Sequence, residues 1–204
     1  LESLEARIAP AAIATFSKGT LLITGEPEGA LSFLQTSEEI NGSTVITTTV
    51  MEDGNPIGGV SSFENVKNIV VKLPKASAAE QHYISMELVK LKGAVEVLAP
   101  KSVTTTVSIV GLDGTDKHIQ KGILVKGGSG DDAIYLYSLN VGKGVVFAAK
   151  KGNDHFFVSH DVKIDGGVSA LGVPTFTLSA GAEINGQLLI TQLENYTDFY
   201  ILGA

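Results

Sequence analysis

Cysteine is absent from the 204 residues, which excludes disulfides and thiolate metal centres and leaves the redox compartment open. Tryptophan is absent too, so the aromatics are five Tyr and eight Phe. Arginine occurs once, at Arg7, and the formal net charge is -7. A phosphate-backbone partner needs clustered Lys and Arg to displace counterions. Here the lysines lie singly or in pairs such as Lys150-Lys151, with no basic stripe, so nucleic acid is not expected as a partner. No apolar run approaches the length of a bilayer-spanning helix and no signal peptide opens the chain, so membrane insertion is not expected either. The first residue, Leu1, is not Met, as in a processed chain or a fragment.

What is present is a strand-and-turn vocabulary. Apolar residues make up 44% of the chain and charged ones 18%, enough to bury a core. The apolar share is mostly Val, Ile, Leu and Ala, mixed with abundant Thr, Ser and Gly, which favours strands and tight turns over helices. Only the first residues differ. Leu1, Leu4 and Ile8 recur at helical spacing until Pro10 stops the pattern, so residues 1–9 read as a short helix or the end of a coiled-coil stalk.

From Phe16 onward, β-branched runs alternate with Asn41-Gly42, Asp53-Gly54, Asp113-Gly114, Asp165-Gly166 and Asn185-Gly186, dipeptides suited to primed hairpin turns. Candidate strands run from Thr20–Thr24 to Phe199–Leu202, among them His82–Leu88, Thr104–Val110, Ala133–Leu139 and His155–Val158. Glu39-Ile40-Asn41-Gly42 with Ile46-Thr47 recurs as Glu183-Ile184-Asn185-Gly186 with Ile190-Thr191, and Gly19–Thr24 parallels Gly186–Thr191. Such recurrence implies related packing of the two ends. The expected division is an N-terminal β region over 10–62, a central β domain over 63–152 and a C-terminal β region over 153–204 related to the first. Pro56, Gly58 and Gly59 mark the first boundary and Lys151-Gly152-Asn153-Asp154 the second. The expected fold is all-β: a short N-terminal helix, then sandwich-like and repeated β-hairpin or β-solenoid-like segments.

Chemical motifs are scarce. No Gly-x-Ser-x-Gly elbow presents a nucleophile, and neither a P-loop nor a dinucleotide-binding glycine pattern occurs. Convergent acid pairs of a glycosidase are not legible in sequence, and the Trp platforms that hold sugars beside them are missing. His155 and His160, flanked by Asp154 and Asp161, would gather a metal only if the strand bent between them. His82 and His118 stand apart. Gly127–Tyr135 fits one copy of the calcium-binding β-roll nonapeptide, which is half a site, and otherwise reads as a Gly-rich hairpin turn capped by Asp131 and Asp132. Tyr135 and Tyr137 alternate with Ile134 and Leu136 and line one strand face, as do Tyr196, Phe199 and Tyr200 near the C-terminus; all read first as core or subunit contacts. Asn41-Gly-Ser43 and Asn195-Tyr-Thr197 match the glycosylation sequon. No catalytic, cofactor-binding or metal-ligating residue is assigned, and no enzyme activity is expected.

The heptad-like entry Leu1–Ile8, broken by Pro10 into Gly/Thr/Ser-rich β structure, resembles the fibre, spike and decoration proteins of tailed bacteriophages. So does Ile69-Val70-Val71-Lys72-Leu73-Pro74-Lys75-Ala76 followed by Tyr83-Ile84-Ser85 and Val95-Glu96-Val97, although Met86–Val89 replaces the Asn-x-Gly turn common in such modules. The resemblance implies a homotrimer in the virion, contacts with other virion proteins and attachment to host-surface polysaccharide, with no catalytic residue. The alternative expectation is a monomeric carbohydrate-binding or adhesin module of a bacterial surface protein. A polysaccharide-degrading domain with acids shared between subunits ranks third.

Overall fold

The computed structural model describes residues 12–59, 62–74, 79–112 and 117–191, and the backbone of strand Asp198–Leu202. The expected N-terminal helix, Asp113-Gly114, Tyr196 and the second sequon lie outside these residues, as do the side chains of Phe199 and Tyr200.

Alternation of apolar and polar residues sets the strands. In Gln81–Leu88 every second side chain is buried, His82, Ile84, Met86 and Leu88 inward and Tyr83, Ser85 and Glu87 outward. Such strands stack in three columns. The first sheet orders Ile13–Ser17, Thr20–Thr24, Asn68–Lys72, Val95–Leu98, Ile123–Lys126, Val145–Ala148, Val168–Leu171 and Leu188–Thr191. The second carries Leu31–Ile40, Gln81–Leu88, Thr104–Gly111, Ala133–Tyr137, His155–Val158, Thr175–Ser179 and Asp198–Leu202. The third is short: Asn140–Val141, Lys163–Ile164 and Glu183–Ile184, continued through single bridges to Ile119 and Leu91. The chain visits first, second and third sheet in turn and then starts again one layer along.

Ile69, Val95, Ile123, Val145, Val168 and Leu188 lie in register in the first sheet, so successive coils use 26, 28, 22, 23 and 20 residues. The result is a β-solenoid of about five turns. Every described pairing between strands from Asn68 onward is parallel. The sandwich-like packing expected for the central segment is therefore replaced by coils, because its strands are joined through corners rather than by hairpins.

The turn dipeptides divide accordingly. Asn41-Gly42 and Asp53-Gly54 have positive φ at both residues and close true hairpins, as expected. Lys18-Gly19 closes a further one, between the antiparallel strand Ile13–Ser17 and the first coil. Asp165-Gly166 and Asn185-Gly186 instead turn the corner from third to first sheet without positive φ. The repeated Glu-Ile-Asn-Gly tetrapeptide thus follows two different backbone paths, a hairpin at Glu39–Gly42 and a corner at Glu183–Gly186. The shorter likeness does hold in space: Leu21 and Ile23, like Leu188 and Ile190, turn to the core from the first sheet.

The interior is a set of apolar columns. Leu31, Ile84, Val107, Ile134, Phe156 and Phe176 are aligned by register in the second sheet and all are buried. Phe156 touches Phe147 edge-on at 6.0 Å and Phe176 at 5.2 Å, tying the first sheet to two coils of the second. At three successive coils the entry to the first sheet, at Gly122, Gly144 and Gly167, leaves no room for a side chain. A Cβ on Gly122 would lie 2.5 Å from the Gly144 carbonyl oxygen, and one on Gly144 2.8 Å from that of Gly167.

One excursion leaves the solenoid, the hairpin Leu31–Ile40/Ser43–Glu52, whose distal half is exposed. Buried Gln35 anchors its root: its Oε1 accepts from Val89 N at 3.1 Å and Lys90 N at 3.0 Å, and its Nε2 donates to Thr48 Oγ1 at 3.1 Å.

Phe156→Ala opens a hole between three coils that rigid strands cannot close. Its unfolding free energy in urea is expected to fall by about 3–5 kcal/mol, and a loss below about 1 kcal/mol would mean that Phe156 is not at the centre of a packed core.

Candidate binding face

The outer face of the second sheet carries the same registers as the core, with different chemistry. Tyr83, Thr106, Ala133, His155 and Thr175 form one row along the solenoid, and Ser85, Ser108, Tyr135, Phe157 and Thr177 form the next. Neighbours within a row belong to adjacent coils, about 4.8 Å apart. Tyr137 adds a third aromatic beside Val110.

Four of these rings form a continuous platform. Tyr135 and Tyr137 stack with centroids 6.3 Å apart and planes 7° from parallel. Phe157 lies 6.1 Å from Tyr135 and 5.8 Å from Tyr137, and His155 meets Tyr135 edge-on at 5.6 Å. The His155 Nε2 and the Thr177 hydroxyl share a hydrogen bond of 3.2 Å. Partial burial holds His155 below its usual pKa, so at neutral pH the imidazole is uncharged. Burial and then the neighbouring Tyr135 raise Tyr137, which keeps its hydroxyl protonated. The strip is thus uncharged and half-buried, with Tyr135 and Tyr137 parallel, Phe157 and His155 tilted against them, and Thr177 buried beside His155. It presents ring faces to C–H surfaces and hydroxyls to polar groups, the combination a sugar offers. Tyr135 and Tyr137 do share one face, as their alternation predicts, and it faces outward rather than into the core. Nothing in the sequence marks Phe157 or Thr177, since only the register between coils brings them beside the tyrosines.

The His/Asp cluster considered near His155 is not assembled. Asp154 is fully buried and turned to the interior while His155 faces outward. His160 and Asp161 pair at 3.4 Å on the surface, both largely exposed. His118, buried at a corner, accepts from Asn140 N at 3.0 Å through Nδ1. Among the described residues, no three His, Asp or Glu stand close enough to hold a metal ion.

The nonapeptide Gly127–Tyr135 is neither a hairpin nor an open ion loop. Its residues 127–132 form the corner between first and second sheets, residues 133–135 begin the second-sheet strand, and its acids hold coils together. Asp132 Oδ1 accepts from Thr105 N at 2.8 Å and its Oδ2 from Gly128 N at 2.6 Å. Asp154 Oδ1 accepts from Asp132 N at 2.8 Å, and Asp131 Oδ1 from Asn153 N at 2.7 Å. Since Thr106, Ala133 and His155 are in register, the residues before them, Thr105, Asp132 and Asp154, stack in a buried polar column that His82 continues. Asp154 Oδ2 has no hydrogen-bond partner. Burial raises Asp132 to about 6 and Asp154 to about 7, against the backbone hydrogen bonds that favour the anions; mutual repulsion and Asp131 add to the rise in Asp154.

No protein family matches the chain, and neither a curated protein nor a solved structure does.

Both buried carboxyls titrate higher in the fold than in the unfolded chain, where the value is near 3.8. Their contribution to stability is complete below that value and is lost as pH rises through 6 and 7. Asp154→Asn is expected to raise the unfolding free energy at pH 8 by about 1–3 kcal/mol and to flatten its decline between pH 5 and 8. Urea melts at the two pH values check this; an unchanged slope in the variant contradicts it.

Proposed function

We propose that this chain is a non-enzymatic structural component of a bacteriophage particle, a fibre, spike or decoration protein, that forms a homotrimer and touches host-surface polysaccharide through the outer face of the second sheet. The observation that carries the reading is the aromatic cluster of Tyr135, Tyr137, His155 and Phe157 on the outer face of two adjacent coils of a β-solenoid. An open aromatic patch that spans two adjacent coils suits one or two units of an extended polymer better than a compact ligand, which would be enclosed in a pocket. The solenoid also fits an architectural role: all its parallel strands are paired in line, so load along a sheet is shared by many backbone hydrogen bonds.

Exposed apolar side chains support subunit contacts. Ile13 is 51% exposed and Phe16 40% on the strand that starts the first sheet, and Ile40 is 44% exposed near the hairpin tip. A partner chain in the proposed trimer would bury these side chains. A virion location follows from this reading.

Light scattering and glycan binding test the two halves. The expected mass at micromolar concentration is that of three chains; a monomer would favour the alternative of an adhesin module with the same binding face. Tyr135→Ser with Phe157→Ser is expected to weaken binding to host-surface polysaccharide by about tenfold or more while leaving the melting temperature within a few degrees. Undiminished binding by that variant would refute the assignment of the face.

A further inference from the structure

The coils also collect positive charge that is scattered in the sequence. Lys67, Lys90 and Lys92 line a single cavity of about 270 Å³, with Thr44, Ile46, Asn65 and Val66. It lies where the distal half of the projecting hairpin meets the corner between third and first sheets. Its volume falls near the lower end of small-ligand sites, about 300 Å³.

The walls are fixed by backbone. Asn65, at φ 56°, donates its N–H to the Ile46 carbonyl at 3.0 Å. Lys67 donates its N–H to the Gly19 carbonyl at 2.7 Å and accepts from Gly93 N at 2.7 Å. Its aliphatic stem runs over Gly19, where a Cβ would come within 2.9 Å of the Lys67 Cδ, so Gly19 makes room for this lysine. Lys90 is held through its N–H by the buried Gln35, and Lys92 follows the buried corner residue Leu91.

The charge is not neutralised from within. Among the described residues none of the three lysines pairs with a carboxylate, whereas further along the same corner Lys117 pairs with Asp165 at 3.0 Å and Lys163 with Glu183 at 3.1 Å. The neighbouring acids are Glu39, which accepts from the Thr44 hydroxyl, and exposed Glu64 on the strand before Asn65. Backbone hydrogen bonds continue from Lys67 through Gly93 to Lys121 and Lys143, which places two more lysines in line on following coils. On a chain of net charge -7, three cations around a concave surface form a local field of opposite sign.

We propose that this cavity is an anion site that takes a carboxylate or phosphate group on a ligand of monosaccharide size. The lysines supply charge-assisted hydrogen bonds to the anion, and the apolar walls of Ile46 and Val66 contact the body of the ligand. The site is on another part of the molecule from the aromatic strip and does not rest on the virion reading.

Thermal melts with inorganic phosphate, glucuronate and glucose, at ionic strength matched with chloride, test the proposal and separate the two anions. Phosphate, glucuronate or both are expected to raise the melting temperature saturably at concentrations on the order of 10 mM, and glucose is not. The variant Lys67→Gln/Lys90→Gln/Lys92→Gln is expected to bind the active anion at least about tenfold more weakly, and Lys121→Gln, outside the cavity, to bind it as the parent does. Should the triple variant fail to fold, Lys92→Gln alone is expected to weaken binding severalfold. No saturable stabilisation by either anion, an equal response to glucose, or binding unchanged in the folded lysine variants would overturn the proposal.

Discussion

Parallel pairing in register is the constraint on which everything else in this molecule depends. When one strand lies beside the next with no stagger, a residue in one coil stands over its counterpart in the following coil about 4.8 Å away. Whatever a coil places inward must then fit between the layers above and below, and whatever it places outward becomes part of a row. The apolar column through Ile134 and Phe156 and the outer row through Tyr135 and Phe157 are two faces of the same pairing. Burial of the first column provides the stability that holds the second row in place.

The same constraint explains the polar interior. Corners continue the ladder only in part, and the backbone N–H groups left over need other acceptors. Asp132, Asp154 and Gln35 supply them from buried positions, each bridging segments far apart in the chain. A carboxylate is a strong acceptor but costly to bury when charged. Asp132 and Asp154 therefore bind protons more readily in the fold, and the junction of coils becomes sensitive to pH.

Much of the local structure was legible in the sequence. The strand content, the alternation in Ala133–Tyr137, and the hairpins at Asn41-Gly42 and Asp53-Gly54 follow from period-two patterning and from residues that accept positive φ. What misled was the glycine of Asp165-Gly166 and Asn185-Gly186. It is required there by contact between coils, since a Cβ on Gly186 would meet the Gly166 carbonyl carbon at 2.5 Å, and not by left-handed geometry. The register between coils was not legible, because coil lengths vary between 20 and 28 residues and no side-chain signature marks each turn. For that reason neither the pairing of Tyr135 with Phe157 nor the gathering of Lys67, Lys90 and Lys92 was visible before the coils were stacked. The lysines that read as scattered are brought together only by the path of the backbone.

Because the chain has no cysteine, in-register stacking is open to a direct test by two engineered ones. Ser85 and Ser108 face outward at the same position of adjacent coils, 23 residues apart in sequence. The double variant Ser85→Cys/Ser108→Cys is expected to form an intramolecular disulfide under mild oxidation with its β-sheet circular dichroism unchanged, since paired strands hold Cα atoms within disulfide reach. Failure to cross-link in the folded protein, with Ser85→Cys/Val110→Cys linking instead, would contradict the stacking of coils in this register.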